Sequence, residues 1–168
     1  MKKIFILGVL GTGLLVTSCK TATTTDNTSV TAKEAQTRRA DALKMKGTWE
    51  ITSVEYDKSL KIKPFDEGAD AQCFVGSQWS LIPNNYTGTY SLSGGGDCPS
   101  VTQPISFEMT KNNEFKFKKV MTGEKAKHVS AGYVLDLQNR TENNFTLVQS
   151  VAFDGSIVKV YYNFQRIN

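Results

Sequence analysis

Few side chains in this sequence have the types and spacing that catalysis requires. His128 is the one histidine, and it lies in a polar segment where we expect it to face solvent. Asp66, Glu67 and Asp70 could ligate Ca²⁺, but their spacing lacks the order of an EF-hand loop, so solvated or salt-bridged acids are favoured. The glycines of SGGGD (93–97) have no helix after them and do not make a phosphate loop. We therefore expect no catalytic residue, no metal and no cofactor.

Cys19 has the sequence context for a different reaction, the acylation of its thiol. Lys2 and Lys3 precede the apolar run IFILGVLGTGLLV (4–16), which has the length of a signal-peptide core and is too short to span a bilayer. The segment LVTSC (15–19) resembles the bacterial lipoprotein box, whose small residues let a peptidase cleave before the thiol. We predict a lipoprotein signal peptide over 1–18 and a lipid anchor at Cys19; an ordinary cleaved signal that contains a cysteine is the alternative. Two or more acyl chains would hold the protein stably.

The next segment (19–46) is predicted to link this anchor to a folded domain. Residues 20–30 are rich in threonine and lack aromatic residues, a composition typical of a flexible tether. Thr31 and Glu34 have the spacing of a capping box, and alanines follow at positions that favour a helix. We expect a short helix over about 32–45.

The positive charge lies in the N-terminal part of the chain. Residues 20–46 carry six Lys or Arg against three acids, whereas residues 47–168 carry twelve against thirteen. The folded domain thus gives no ground for a nucleic-acid partner. Basic residues near the anchor could contact anionic head groups, although a solvated tether is favoured.

The pattern of the remaining residues (47–168) predicts one all-β domain. Apolar and polar residues alternate with a period of two, interrupted by Gly, Asn, Asp and Pro, and a phase shift near Ser53 indicates a bulge. Because most connections are short, consecutive strands should be antiparallel and close into an up-and-down barrel rather than form a sandwich. The eight predicted strands are 48–56, 73–82, 86–92, 104–110, 114–120, 132–138, 144–151 and 156–167.

Two further cysteines remain when Cys19 is set aside. Cys73 begins the second predicted strand and Cys98 follows the third, so both lie at the same end of an antiparallel hairpin. In an oxidising envelope compartment this placement favours a disulfide. Free thiols and a metal site are the alternatives, and metal is disfavoured because the chain has one histidine.

Several short motifs resemble those of a known family. GTW (47–49), SQW (77–79), YTGTYSL (86–92) and VYYNFQRI (160–167) are similar to segments of the lipocalin and calycin barrels, and most closely of the lipocalin-like lipoproteins of Gram-negative Bacteroidota. The resemblance implies that Arg166 stacks on Trp49 across the closed end of the barrel, with Gly47 permitting a tight entry. This is a structural role, and the cation–π contact would contribute up to about 2 kcal/mol.

The alternation also predicts which side chains face the barrel interior. If a cavity remains there, the protein binds a small apolar ligand; if the core is filled, it is an accessory subunit of a larger envelope complex. The barrel size permits either. Lys20 after the anchor lacks the acidic signal of inner-membrane retention and favours the outer membrane, on its periplasmic face. The predicted interior residues are Trp79, Tyr90, Phe107, Phe115, Phe117, Tyr133, Leu135 and Tyr162.

Overall fold

A computed structural model of the protein describes residues 25–121 and 123–168. The predicted signal peptide (1–18) and the lipid-anchor residue Cys19 lie outside the described residues. In the part that is described, no helix has the length and apolarity needed to cross a membrane. The elements are α1 Thr25–Leu43, β1 Gly47–Glu55, β2 Gln78–Ile82, β3 Thr87–Gly95, β4 Cys98–Met109, β5 Glu114–Lys119, β6 Tyr133–Gln138, β7 Asn144–Phe153 and β8 Ser156–Arg166.

The eight strands form a closed barrel in chain order, and β8 pairs with β1. Every neighbouring pair is antiparallel, so the predicted up-and-down barrel is confirmed and the sandwich alternative is wrong. Closure gives each strand a partner on both sides and leaves no exposed sheet edge. The register of β1 against β8 shifts between Ile51 and Ser53, which confirms the bulge expected there.

Three local features differ from the sequence-based expectations. Helix α1 begins at Thr25 and ends at Leu43, so residues 25–30 are helical although we expected a flexible tether. A segment of this composition cannot form a buried core, but it can form an exposed helix. The neighbouring residues 32–37 of α1 are all exposed. Strand β2 begins at Gln78 rather than 73, because residues 71–74 form a 3₁₀-helix.

The third difference concerns the glycine-rich segment after β3, which we expected to be an open loop. Strands β3 and β4 instead pair as far as Gly95 and Cys98 and form a tight hairpin. Gly95 has φ +118°, a conformation that glycine adopts without the steric cost that a Cβ would bring.

The two ends of the barrel differ in how they are closed. At one end, here called the floor, lie Gly47 and Arg166. At the other end, the mouth, lie Cys98 and the connection between β1 and β2. This connection (56–77), here called the mouth loop, folds inward and buries Ile62, Phe65 and Phe74 in the barrel core.

Candidate functional site

Arg166 closes the floor of the barrel. Its guanidinium carbon lies 4.1 Å from the centroid of the Trp49 ring, as the family resemblance implied. Its three nitrogens donate to the backbone carbonyls of Lys44, Lys46 and Glu142 at 2.8, 2.6 and 2.7 Å. One side chain therefore joins β8, the residues after α1 and the turn before β7.

Trp49 fills the space beneath this guanidinium. Its indole N–H donates to the carbonyl of Met45 at 2.9 Å, and its ring meets Phe145 edge to face at 4.7 Å. Gly47 enters the floor with φ +135°, and a Cβ there would overlap the Arg166 Nη1 atom. The floor is thus packed and hydrogen-bonded, as a structural role requires.

The structure brings the predicted interior residues together inside the barrel. All except Tyr133 are 2% exposed or less, and Tyr133 is half-buried against them. The rings pack on one another: Trp79 stacks on Tyr90 at 4.7 Å, and Phe107 stacks on Phe115 at 5.2 Å. The alternation of the strands thus correctly placed this set on the inner wall.

The space between these rings near the mouth is occupied by Phe65, which sequence reasoning missed. Phe65 belongs to the mouth loop, not to a strand, and it is 3% exposed. Its backbone has φ +57°, which for a bulky residue costs on the order of 1–3 kcal/mol. Its ring centroid lies 5.1–6.5 Å from those of Phe74, Trp79, Phe117, Tyr133 and Tyr162.

A buried polar group holds this loop in place beside the aromatic rings. The Glu67 side chain is 8% exposed, and its Oε1 lies 2.6 Å from Lys119 Nζ. The same oxygen accepts a hydrogen bond from the Tyr90 hydroxyl, and Lys119 Nζ also donates to the carbonyl of Phe65 at 3.1 Å. Burial, and then the Glu67 carboxylate, raise the pKa of Tyr90. Each charged or polar member of the group therefore has a partner, as burial requires.

Lys119 reaches this position because of the strand period. It follows Phe115 and Phe117 at steps of two along β5, so its side chain projects from the inner wall at the mouth. We did not predict this lysine from the sequence, although its place in the alternation is a signal for a polar site; nothing in the sequence of the mouth loop identifies Glu67 as its partner.

The rest of the mouth loop is tied to the barrel separately. Asp70 accepts from the Tyr56 hydroxyl at 2.6 Å and from the Gln72 amide at 2.9 Å. Burial, followed by the Asp70 contact, raises the pKa of Tyr56 to about 12. The Cys73–Cys98 disulfide joins the loop to the start of β4. Glu67 and Asp70 thus bond to the protein itself, in agreement with the salt-bridged interpretation of this acidic segment; the Asp66 side chain lies outside the described part.

The described surface also carries two open grooves outside the barrel. One, of about 740 Å³, lies between α1 and the turn from β4 to β5; the other, of about 660 Å³, lies beside β5 and the loop before β6. His128 lies in the loop before β6 and is exposed. Charged side chains from different elements line both grooves, and neither joins the polar group at Glu67 and Lys119.

Comparison with known proteins does not show a family for this chain. No protein-family model matches the chain, and no curated protein matches it. Among solved structures, it is similar to a complex of bovine odorant binding protein with a selenium-containing odorant, at 10% identity over 76% of this chain and 73% of that one, with a TM-score of 0.46. At this level the likeness carries no argument. The described chain is a closed, eight-stranded, antiparallel up-and-down barrel with an N-terminal helix.

Proposed function

We propose that this protein is a non-catalytic, lipid-anchored protein of the cell envelope that binds a small apolar ligand inside its barrel. The observation that supports this most strongly is that the buried residue Phe65 belongs to a loop and not to a strand. Wall residues surround its ring, but the ring itself comes from a loop. If the loop moves away, an aromatic pocket opens and no strand of the barrel is broken.

The pocket has the chemistry of a small-molecule site. Its walls are aromatic, and its few polar groups converge at the mouth, which is the usual combination in ligand pockets. The ligand would replace contacts that Phe65 now makes, so its affinity would be lowered by the free energy needed to displace the loop.

The position of α1 supports an orientation relative to the membrane. The helix begins six residues after Cys19 and ends at the floor, where Arg166 binds the carbonyls that follow it. Nineteen helical residues span roughly 28 Å. We propose attachment through Cys19 to the outer membrane on its periplasmic face, with the mouth directed away from the anchor. Replacing Cys19 by Ser should release the protein from membranes, and persistence in the membrane fraction would contradict this.

The direct test of ligand binding uses the native protein. Full-length protein gently extracted from its membrane should show, in native mass spectrometry, a bound small molecule that is lost on unfolding. A mass equal to that of the lipidated polypeptide alone, in repeated extractions with different detergents, would contradict ligand binding.

A second candidate function is that of an accessory subunit of a larger envelope complex. The observation in its favour is that Phe65 and its neighbours fill the mouth half of the barrel. Under this alternative the barrel never opens, and crosslinking in intact membranes should recover a stable protein partner. The recovery of no such partner would count against it.

A further inference from the structure

We infer that the mouth-loop segment 65–67 occupies the site of an aromatic carboxylic acid, and that molecules of this class are the ligand. This inference rests on the proposed function, because it requires the loop to move away from the barrel. The segment presents two groups to the wall, the phenyl ring of Phe65 and the carboxylate of Glu67. A single small molecule with an aromatic ring and a carboxylate would satisfy both sets of wall contacts.

The ring half of the site is defined by the neighbours of Phe65. Phe117 and Tyr133 lie at 5.1 and 5.3 Å, at steep angles to the Phe65 ring, and Tyr162 lies at 5.4 Å in a tilted orientation. Aromatic pairs favour such edge-to-face and offset arrangements at separations of 4.5–7 Å. The wall therefore selects a planar ring over a flexible alkyl chain of the same volume.

The acid half of the site is defined by Lys119 and Tyr90. When the loop leaves, the Lys119 ammonium loses its ion pair with Glu67 and its bond to the Phe65 carbonyl. The Tyr90 hydroxyl, on a side chain with no measurable exposure, loses its acceptor as well. The buried Tyr90 hydroxyl is costly to leave without an acceptor, and the Lys119 side chain, which is 25% exposed, is left without its counter-ion. A ligand carboxylate restores the ion pair with Lys119 and accepts from the Tyr90 hydroxyl, whereas a neutral amide of the same shape can accept hydrogen bonds from both groups but forms no ion pair.

The part of the loop that must move is short. The Ala71 backbone amide donates to the Ile62 carbonyl at 2.8 Å, and Asp70 is held by the Tyr56 hydroxyl, so the segment that moves is residues 63–69, between two fixed ends. The Cys73–Cys98 disulfide fixes the chain just beyond it. Outward movement of this loop removes Phe65 and Glu67 together and also relieves the unfavourable φ of Phe65.

The test compares an acid with its neutral amide. Binding of 4-phenylbutyrate and of 4-phenylbutyramide to full-length protein in lipid nanodiscs is measured by calorimetry, with empty nanodiscs as the blank. We expect the acid to bind at least about tenfold more tightly, the ratio that one charge-assisted hydrogen bond provides. The Lys119→Met variant should reduce this ratio to about twofold or less. Because both ligands displace the same loop, the cost of opening cancels from the ratio.

Two further variants test the role of the loop. Phe65→Ala should increase the affinity for the acid and for the amide by the same factor, since it removes the competing ring. Glu67→Gln leaves the aromatic core intact and removes the ion pair that holds the loop closed, so it should also increase the affinity for both ligands by one factor and leave the acid-to-amide ratio unchanged. The second variant keeps the test decisive if Phe65→Ala does not fold.

The outcomes separate this inference from the proposed function. Equal binding of acid and amide to the unmodified protein would overturn the aromatic-acid class and leave an apolar-ligand barrel standing. If neither compound binds the protein or its folded Phe65→Ala and Glu67→Gln variants, the inference also fails. In that case, a small molecule found by native mass spectrometry would still support the proposed function, and its absence would overturn both.

Discussion

The guanidinium of Arg166 lies on the ring of Trp49, with 4.1 Å between the guanidinium carbon and the ring centroid. The same guanidinium donates to three backbone carbonyls. Its flat face therefore contacts the Trp49 ring, while the N–H groups along its edge form hydrogen bonds. Lysine retains the charge but cannot reproduce this planar set of donors. The geometry makes the floor of the barrel depend on arginine specifically.

Arg166→Lys should therefore lower the free energy of unfolding by about 2 kcal/mol, measured by urea denaturation with tryptophan fluorescence. Arg140→Lys is the matched control, because Arg140 forms an ion pair with Asp41 in which both side chains are partly exposed, and exposed pairs contribute about 0–1 kcal/mol. Equal effects of the two substitutions would contradict the structural role of the Arg166 contacts.

Gly47→Ala should destabilise the floor through a steric clash as well as through backbone strain. Its Cβ would overlap Arg166 Nη1 and lie 2.6 Å from the carbonyl oxygen of Asn168. Gly95→Ala is the control, since Gly95 also has a positive φ but has open space around its missing Cβ. We expect Gly47→Ala to lose about 1–3 kcal/mol more than the control in the same denaturation assay. An equal loss would mean that backbone strain alone accounts for the effect.

Removal of the disulfide should lower stability without abolishing the fold. Cys73 and Cys98 are separated by 25 residues, and in the chain-entropy account closing such a loop is worth about 3–4 kcal/mol. The Cys73→Ser/Cys98→Ser double variant should lose this amount on chemical denaturation. Reduced unmodified protein should match the variant, and unchanged stability in both would contradict the estimate.

The protein should lose stability at alkaline pH partly through Tyr56. Its pKa in the folded protein is raised from 10.0 to about 12, so folding favours the neutral phenol. This contribution is complete below pH 10 and is lost as the pH rises from 10 to about 12, because the unfolded chain ionises first. Urea denaturation across this range should show a shallower fall in stability for Tyr56→Phe than for the unmodified protein. Parallel curves would show that Tyr56 ionisation is not linked to unfolding.

The strands could be predicted from the sequence because alternation is a local signal. Residues two apart share a face, so the inward positions of Trp79 and Phe117 followed from their own strands. The bulge near Ser53 was visible as a change of phase. Helix α1 was predicted too short, because an exposed helix does not need the apolar pattern by which buried helices are recognised.

The centre of the candidate site could not be predicted in the same way. Phe65 lies in a 3₁₀ turn of three residues, Pro64–Asp66, which is too short for any period to indicate whether a ring points inward or outward. Its neighbours come from four strands and from the 3₁₀-helix at residues 71–74, so its burial depends on contacts between residues distant in sequence. Lys119 was predictable as an inward residue, but its pairing with Glu67 depends on how the mouth loop folds.

The most direct test of the account is a crystal structure of the protein with 4-phenylbutyrate bound. We expect the ligand ring to lie between Phe117 and Tyr162 where Phe65 now lies, its carboxylate to contact Lys119 and Tyr90, and residues 63–69 to be displaced outward. A structure in which Phe65 keeps its place inside the barrel, with the ligand bound in an outer groove, would contradict the account.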